Sequence, residues 1–313
     1  LLAWVADIRK REAGGAQPPG EFLELKHLLH ELRLFKSAKE LQLMRKAAKI
    51  TSTAHRRAMQ VCEPGMLESQ LEAELTYEFM SHGARSPAYP CIVGGGENAC
   101  VMHYVDNTAA LKKNDLVLID AGCEYQHYAA DVTRTFPVSG KFSTAQRKLY
   151  NIVLQANEAA INQCQPGNHF NAPHEAAVRV MVEGLLALGL LEGEPEEIIA
   201  AEDYKSLCPH KTSHWLGIDV HDVGDYRIDT SWREFEPGMV LTIEPGIYIP
   251  RDKSTAHLPN TYRGLGIRIE DDVLITKQGC EVLTDSVPKQ PADIEALMAE
   301  PFVQTSRSAG ARQ

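Results

Sequence analysis

Two segments constrain this chain more than any other feature: DLVLIDAG (115–122) and GMVLTIEPG (238–246). Each runs an apolar, strand-like stretch into a carboxylate, then one small or proline residue, then a glycine. A second acid follows each, Asp131 in the first case and Glu270, within GIRIEDDVLI, in the second. The helical pattern repeats as well. Ser37-Ala-Lys-Glu40 and Ser143-Thr-Ala-Gln146 are capping boxes, in which the Ser and the third-position side chain satisfy free backbone N–H groups. Leu41, Met44, Ala48 and Thr51 continue the first helix at helical spacing. The two helices stop at Cys62-Glu-Pro-Gly and Cys164-Gln-Pro-Gly, and a further helix follows each stop. The first of these places Leu67, Leu71, Leu75 and Phe79 on one face; the other spans HEAAVRVMVEGLLALG. Two copies mean a duplication rather than a solenoid, which needs more repeats to close its core. The expectation is an α+β fold of two halves, each giving helices to the outside and strands to a shared, curved sheet.

Folding two such halves together brings Asp120, Asp131, Glu244 and Glu270 to one point. Two carboxylates about 4 Å apart repel by roughly 4 kcal/mol at an effective dielectric near 20. Four would protonate or force the site open unless cations fill it. Two divalent ions balance four negative charges, and oxygen-rich ligation suits manganese better than a thiolate-type zinc site does. Histidines complete the set. PHKTSHWLGIDVHDVG (209–224) carries His210, His214 and His221, and CVMHYVDN carries His103 just ahead of the first acid strand. The spacing is not H-E-x-x-H, and His174-Glu175, lacking a second histidine, reads as helix surface. Carboxylates and one histidine around two metals acidify a water and polarise a carbonyl, which is the chemistry of metal-assisted hydrolysis, most simply of an amide.

Other classes fit poorly. VGGGEN (93–98) lacks the Gly-Lys-Ser/Thr ending of a phosphate loop and reads as a turn near the site. There is no G-x-S-x-G, and Cys208 beside His210 is weak evidence for a thiol enzyme. The net charge of −10, without a sustained basic stripe, argues against nucleic acid as a partner. No apolar run approaches the roughly 20 residues that cross a bilayer, so no membrane partner is expected. Seven scattered cysteines without C-x-x-C read as reduced thiols of a cytoplasmic protein.

Taken together, LVLIDAGCEYQHYAADVTRTFPVSGKF, SHWLGIDVHDVG, VLTIEPGIYI and GIRIEDDVLIT resemble the catalytic domain of the aminopeptidase P (Xaa-Pro aminopeptidase) group of M24-type metallopeptidases. The resemblance implies the pita-bread fold over 31–295. Residues 1–30 would be the remnant of an N-terminal domain or linker, and 296–313 a flexible C-terminal tail. It also implies two divalent metal ions, usually Mn2+, and peptide substrates with proline at the second position. Asp120, Asp131, His214, Glu244 and Glu270 would be the ligands, Asp131 and Glu270 bridging, with Glu244 also handling the proton of the attacking water. His103 and His221 would stabilise the tetrahedral intermediate or shuttle protons. His210, Tyr248 and Arg268 would line the proline side of the pocket, with His103 and His221 also touching substrate. Two departures stand out. Lys211 and Thr212 occupy positions where the family commonly has Gly and an apolar residue, and Gly tolerates backbone angles that Lys resists. Family members also carry a full N-terminal domain that commonly helps build a homo-oligomer and limits substrate size. A dipeptide-specific Xaa-Pro dipeptidase and a non-catalytic peptide-binding scaffold of the same fold remain as alternatives.

Overall fold

In the computed structural model of the protein, which describes residues 1–301, both helical pairs form. Ala38–Val61 packs on Glu68–Ser81, and Thr144–Asn162 packs on Ala172–Ala187. Both capping boxes close. The Ser37 amide donates to Glu40 Oε2 at 2.7 Å and the Ser143 amide to Gln146 Oε1 at 2.8 Å, while the Glu40 and Gln146 amides donate back to the serine hydroxyls. Each such cap contributes about 1 kcal/mol. Leu71, Leu75 and Phe79 are fully buried, each stabilising the fold by roughly 1.5–3 kcal/mol. Leu67 departs from the expected face. It is the N-cap of its helix, 42 % exposed, and bridges to Ala110 instead of turning inward.

The strands divide as the duplication requires. In the first half Leu116–Asp120 lies between Ile92–Gly95 and Thr133–Pro137, both antiparallel to it. In the second, Asp271–Thr276 lies between Val240–Ile243 and Gly279–Val282, and Gly246–Ile249 pairs with Leu265–Arg268. Leu116, Val117, Leu118 and Ile119 are buried on both faces, which explains their unbroken apolar run. The halves join where Glu270 N–H donates to Thr133 O at 3.0 Å and Thr135 Oγ1 donates to Arg268 O at 3.0 Å. The last helix, Pro291–Ala299, crosses the domain end expected at 295, and Leu25–Leu34 crosses the boundary expected at 30. Residues 302–313 of the expected tail lie outside the described residues. No described helix is long and apolar enough to cross a membrane.

Gly122 has a steric reason to be glycine. A Cβ there would lie 1.7 Å from Ala130 O and 2.5 Å from its carbonyl carbon, both backbone atoms of the segment leading to Asp131. Gly122→Ala is therefore expected to cost about 1–3 kcal/mol and to weaken metal binding at least ~10-fold by parting Asp120 from Asp131. Thermal melting and metal titration of the variant check this; native affinity would refute it.

Candidate metal centre

Strand ends deliver the acids. Asp120 closes Leu116–Asp120, Asp131 lies two residues before Thr133–Pro137, Glu244 follows Val240–Ile243, and Glu270 sits between Leu265–Arg268 and Asp271–Thr276. All four face one cavity of about 460 Å3, together with His103, His210, His214, His221 and Arg268. Ligand atoms of Asp131, His214 and Glu270 lie within 4.8 Å of one another. His214 Nε2 is 3.4 Å from both Asp131 Oδ2 and Glu244 Oε1. Its Nδ1–H donates to Trp215 O at 3.0 Å, which turns Nε2 toward the acids.

The loop bearing His214 and His221 is held from outside. Asp222 is buried against Lys36 at 3.4 Å and pairs with Arg33, and Trp215 stacks on Tyr226 with ring centroids 5.7 Å apart. Within it the His214 and His221 rings meet edge to face, centroids 4.4 Å apart.

The electrostatics of the cluster are those of a cation site. Burial pushes the Glu244 carboxyl up to about 7, against the attraction of His214 and Arg268. Burial and the surrounding acids push Glu270 well above the usual range, and burial also raises Asp120 although Arg268 opposes it. Burial disfavours a charged His214, yet Asp131 and Glu244 outweigh it and lift the imidazole to about 9. Tyr89 donates to Asp120 Oδ1 at 2.7 Å and also touches Asp131. A phenol brings one hydrogen, so two ionised acids facing it require a proton held in the cluster or a cation beside it. The donor set of four carboxylates and one imidazole fits divalent ions.

A buried relay supports the cavity wall. Arg268 Nη2 donates to Asp120 Oδ2 at 2.5 Å, and its Nη1 donates to Tyr248 Oη at 2.7 Å. The Tyr248 hydroxyl hydrogen then goes to His210 Nε2 at 2.8 Å, and His210 Nδ1–H goes to Lys211 O at 2.8 Å. Burial pushes His210 down to about 4, consistent with this neutral ring. Tyr248 does not line the cavity as expected; it is only 3 % exposed and acts from behind His210 and Arg268.

Several participants carried no signal in the sequence. Tyr89 sits in SPAYPCIVGGG, a segment without acids or histidines. Thr133 Oγ1 donates to Glu270 Oε2 at 2.5 Å, Asp272 accepts from the Asp131 amide at 3.2 Å, and His55 Nε2–H donates to Ala121 O at 2.9 Å. VGGGEN, expected as a turn near the site, reaches it only through its neighbour Ile92, which pairs with Asp120; Gly95 and Gly96 line a different cavity. His174 is not helix surface. It is buried, 8 % exposed, with Nδ1 2.8 Å from Thr212 Oγ1, because its helix face turns toward Tyr204 and the 209–214 loop. Lys211 is not among the residues with positive φ, so its backbone carries no glycine-like strain.

A two-half α+β domain closing a carboxylate-and-histidine cavity is the architecture and donor set of a metallopeptidase site. The chain belongs to metallopeptidase family M24, whose match covers residues 42–277. It is 51 % identical to the Xaa-Pro aminopeptidase of Escherichia coli K12 over 93 % of this chain and 65 % of that protein. Among solved structures it resembles Pseudomonas aeruginosa aminopeptidase PepP (56 % identity, TM-score 0.92, 95 % of this chain and 67 % of that one). It also resembles zinc-substituted E. coli aminopeptidase P in complex with product (50 % identity, TM-score 0.91, 96 % and 67 %). The architecture is thus the pita-bread fold of aminopeptidase P catalytic domains, and the site is one for divalent metal ions. The chain spans less than two thirds of the length of the curated relatives it matches first, 65 % and 64 %.

Proposed function

We propose that the protein is an Xaa-Pro aminopeptidase, removing the N-terminal residue that precedes proline, with two Mn2+ ions held by Asp120, Asp131, His214, Glu244 and Glu270. The observation that carries this reading is the convergence of those five side chains in one cavity, in a chain half identical to an Xaa-Pro aminopeptidase. Bound divalent ions supply Lewis acidity and bring the pKa of water toward neutrality. Glu244, facing His214 across the same cavity, is poised to take a proton from the attacking water and return it to the leaving nitrogen. His103 and His221, exposed at the cavity mouth, donate toward the developing oxyanion. Pro90, Ile92, Met102, Val105 and Val220 provide an apolar wall suited to a pyrrolidine ring, and His210 and Arg268 border it. A cytosolic location is part of the proposal, supported by seven free thiols, of which burial pushes Cys208 up to about 12.

Purified protein, chelated and then reloaded with Mn2+, is expected to release the first residue of Xaa-Pro-Xaa tripeptides only when metal is present. A folded, metal-loaded protein that releases nothing would instead be a peptide-binding scaffold. Cleavage of Xaa-Pro dipeptides without tripeptides would assign it as a dipeptidase.

A further inference from the structure

The exposed side chain of Lys211 borders two cavities at once, the metal cavity and a neighbouring one of about 670 Å3 lined by His169, His174, Glu175, Glu202 and Tyr204. The carboxylates of that second cavity have direct partners of their own, although Glu202 also feels the Lys211 charge at longer range. Glu202 pairs with Lys205, and Glu175 accepts from Asn171 at 2.8 Å and lies 3.8 Å from His169. Among the described residues no carboxylate comes within 4.0 Å of the Lys211 ammonium.

The backbone around Lys211 is pinned on both sides. Its carbonyl accepts from His210 Nδ1 at 2.8 Å. Next to it, Thr212 O accepts from the Glu244 amide at 2.8 Å and Thr212 Oγ1 meets His174 Nδ1 at 2.8 Å. Burial pushes His174 down to about 4, so this anchor stays neutral across the working pH range. The lysine stem, about 6 Å long when extended, projects from this hydrogen-bonded backbone beside His210.

We propose that Lys211 recognises a substrate carboxylate on the C-terminal side of the scissile bond, which makes short peptides with a free C terminus the preferred class. The proposal rests on the Xaa-Pro reading and on His210 lying on the proline side. With the scissile bond at the metal site and proline beside His210, the C-terminal end of the substrate runs toward the rim that carries the Lys211 ammonium, which draws a negative group there. In a tripeptide the α-carboxylate lies about 7 Å beyond the scissile carbonyl, at about 3.3–3.6 Å per extended residue, on the side of the cavity where His210 and Lys211 adjoin. An Asp or Glu side chain at the third position offers the same chemistry from a second source.

The test compares Ala-Pro-Ala acid, Ala-Pro-Ala amide and Ala-Pro-Glu amide on the manganese-loaded full chain, wild type against Lys211→Met and Lys211→Arg. Wild type is expected to favour the acid over the amide by roughly 5-fold in kcat/KM, carried by KM and diminished by 0.5 M salt. Lys211→Met should collapse the ratio to near one, and Lys211→Arg should keep most of it. Preference for the glutamyl amide over the alanyl amide would assign the side-chain source, and equality of those two the α-carboxylate. If Lys211→Met changes neither the acid-to-amide ratio nor the glutamyl-to-alanyl amide ratio, the proposal is overturned while the Xaa-Pro activity stands. If neither peptide is cleaved, the Xaa-Pro reading fails. Calorimetric binding of Pro-Ala acid and Pro-Ala amide then decides Lys211, equal discrimination in wild type and Lys211→Met overturning it.

Discussion

Asp131→Ala is expected to leave a folded protein that binds at most one of the two metal ions and hydrolyses Xaa-Pro peptides at least ~10^3-fold more slowly. Asp131 is the acid shared by the whole cluster. Its carboxylate meets Tyr89, which also holds Asp120, lies 3.4 Å from His214 Nε2, and groups with Glu270 within 4.8 Å. No neighbouring acid can replace it, because Asp272 is committed behind the Asp131 amide. Metal content by elemental analysis and turnover of a tripeptide measure the effect. Retention of two ions would sink the bridging role. The metal-free variant should melt no lower than metal-free wild type, since it loses one of several mutually repelling charges.

Asp271→Ala is expected to destabilise the protein by about 3–5 kcal/mol, lowering the melting midpoint by on the order of 10 °C. Asp271 and Arg134 are both fully buried and paired at 2.7 Å, and Lys289 adds a second contact at 2.7 Å. Removing the carboxylate strands a guanidinium in the core. Arg134 also donates to Glu270 O at 2.5 Å, so the loss should weaken metal binding as well. Burial works against the Asp271 charge, but Arg134 and Lys289 prevail and hold its pKa well below the usual carboxylate range. A carboxyl depressed in the folded state stabilises the protein above its unfolded pKa near 4 and loses that contribution as pH falls below it. The gap between wild type and variant should therefore narrow in strong acid; a gap independent of pH would refute the assignment. Glu244 acts with the opposite sign in another window. Its raised carboxyl destabilises the metal-free fold when ionised above about 7 and is relieved as pH falls through that value.

The helical pairs and the strand-end acids were legible in the sequence because their signals are local. A capping box spans four residues, an apolar strand run spans four or five, and Asp120 and Glu244 stand at matching points of two runs that repeat each other. The duplication then made the meeting of four acids a consequence of closing the two halves, and the histidines of 209–224 announced themselves by density.

What only the tertiary structure decided depends on partners far apart along the chain. Tyr89 became part of the centre because Ala88 N–H donates to Gly122 O and draws its segment alongside the acid strand. Thr133 acquired a carboxylate 137 positions away, and His174 went inward to meet Thr212, 38 positions on. Tyr248, expected at the cavity surface, ended behind it, since its strand places the hydroxyl between Arg268 and His210. A threonine, tyrosine or lone histidine carries no periodicity of its own, so only packing reveals its partner. The ligand types of the centre were thus set by sequence pattern, whereas the hydrogen bonds that orient them, and the placing of the Lys211 cation at its rim, were set by how the two halves close.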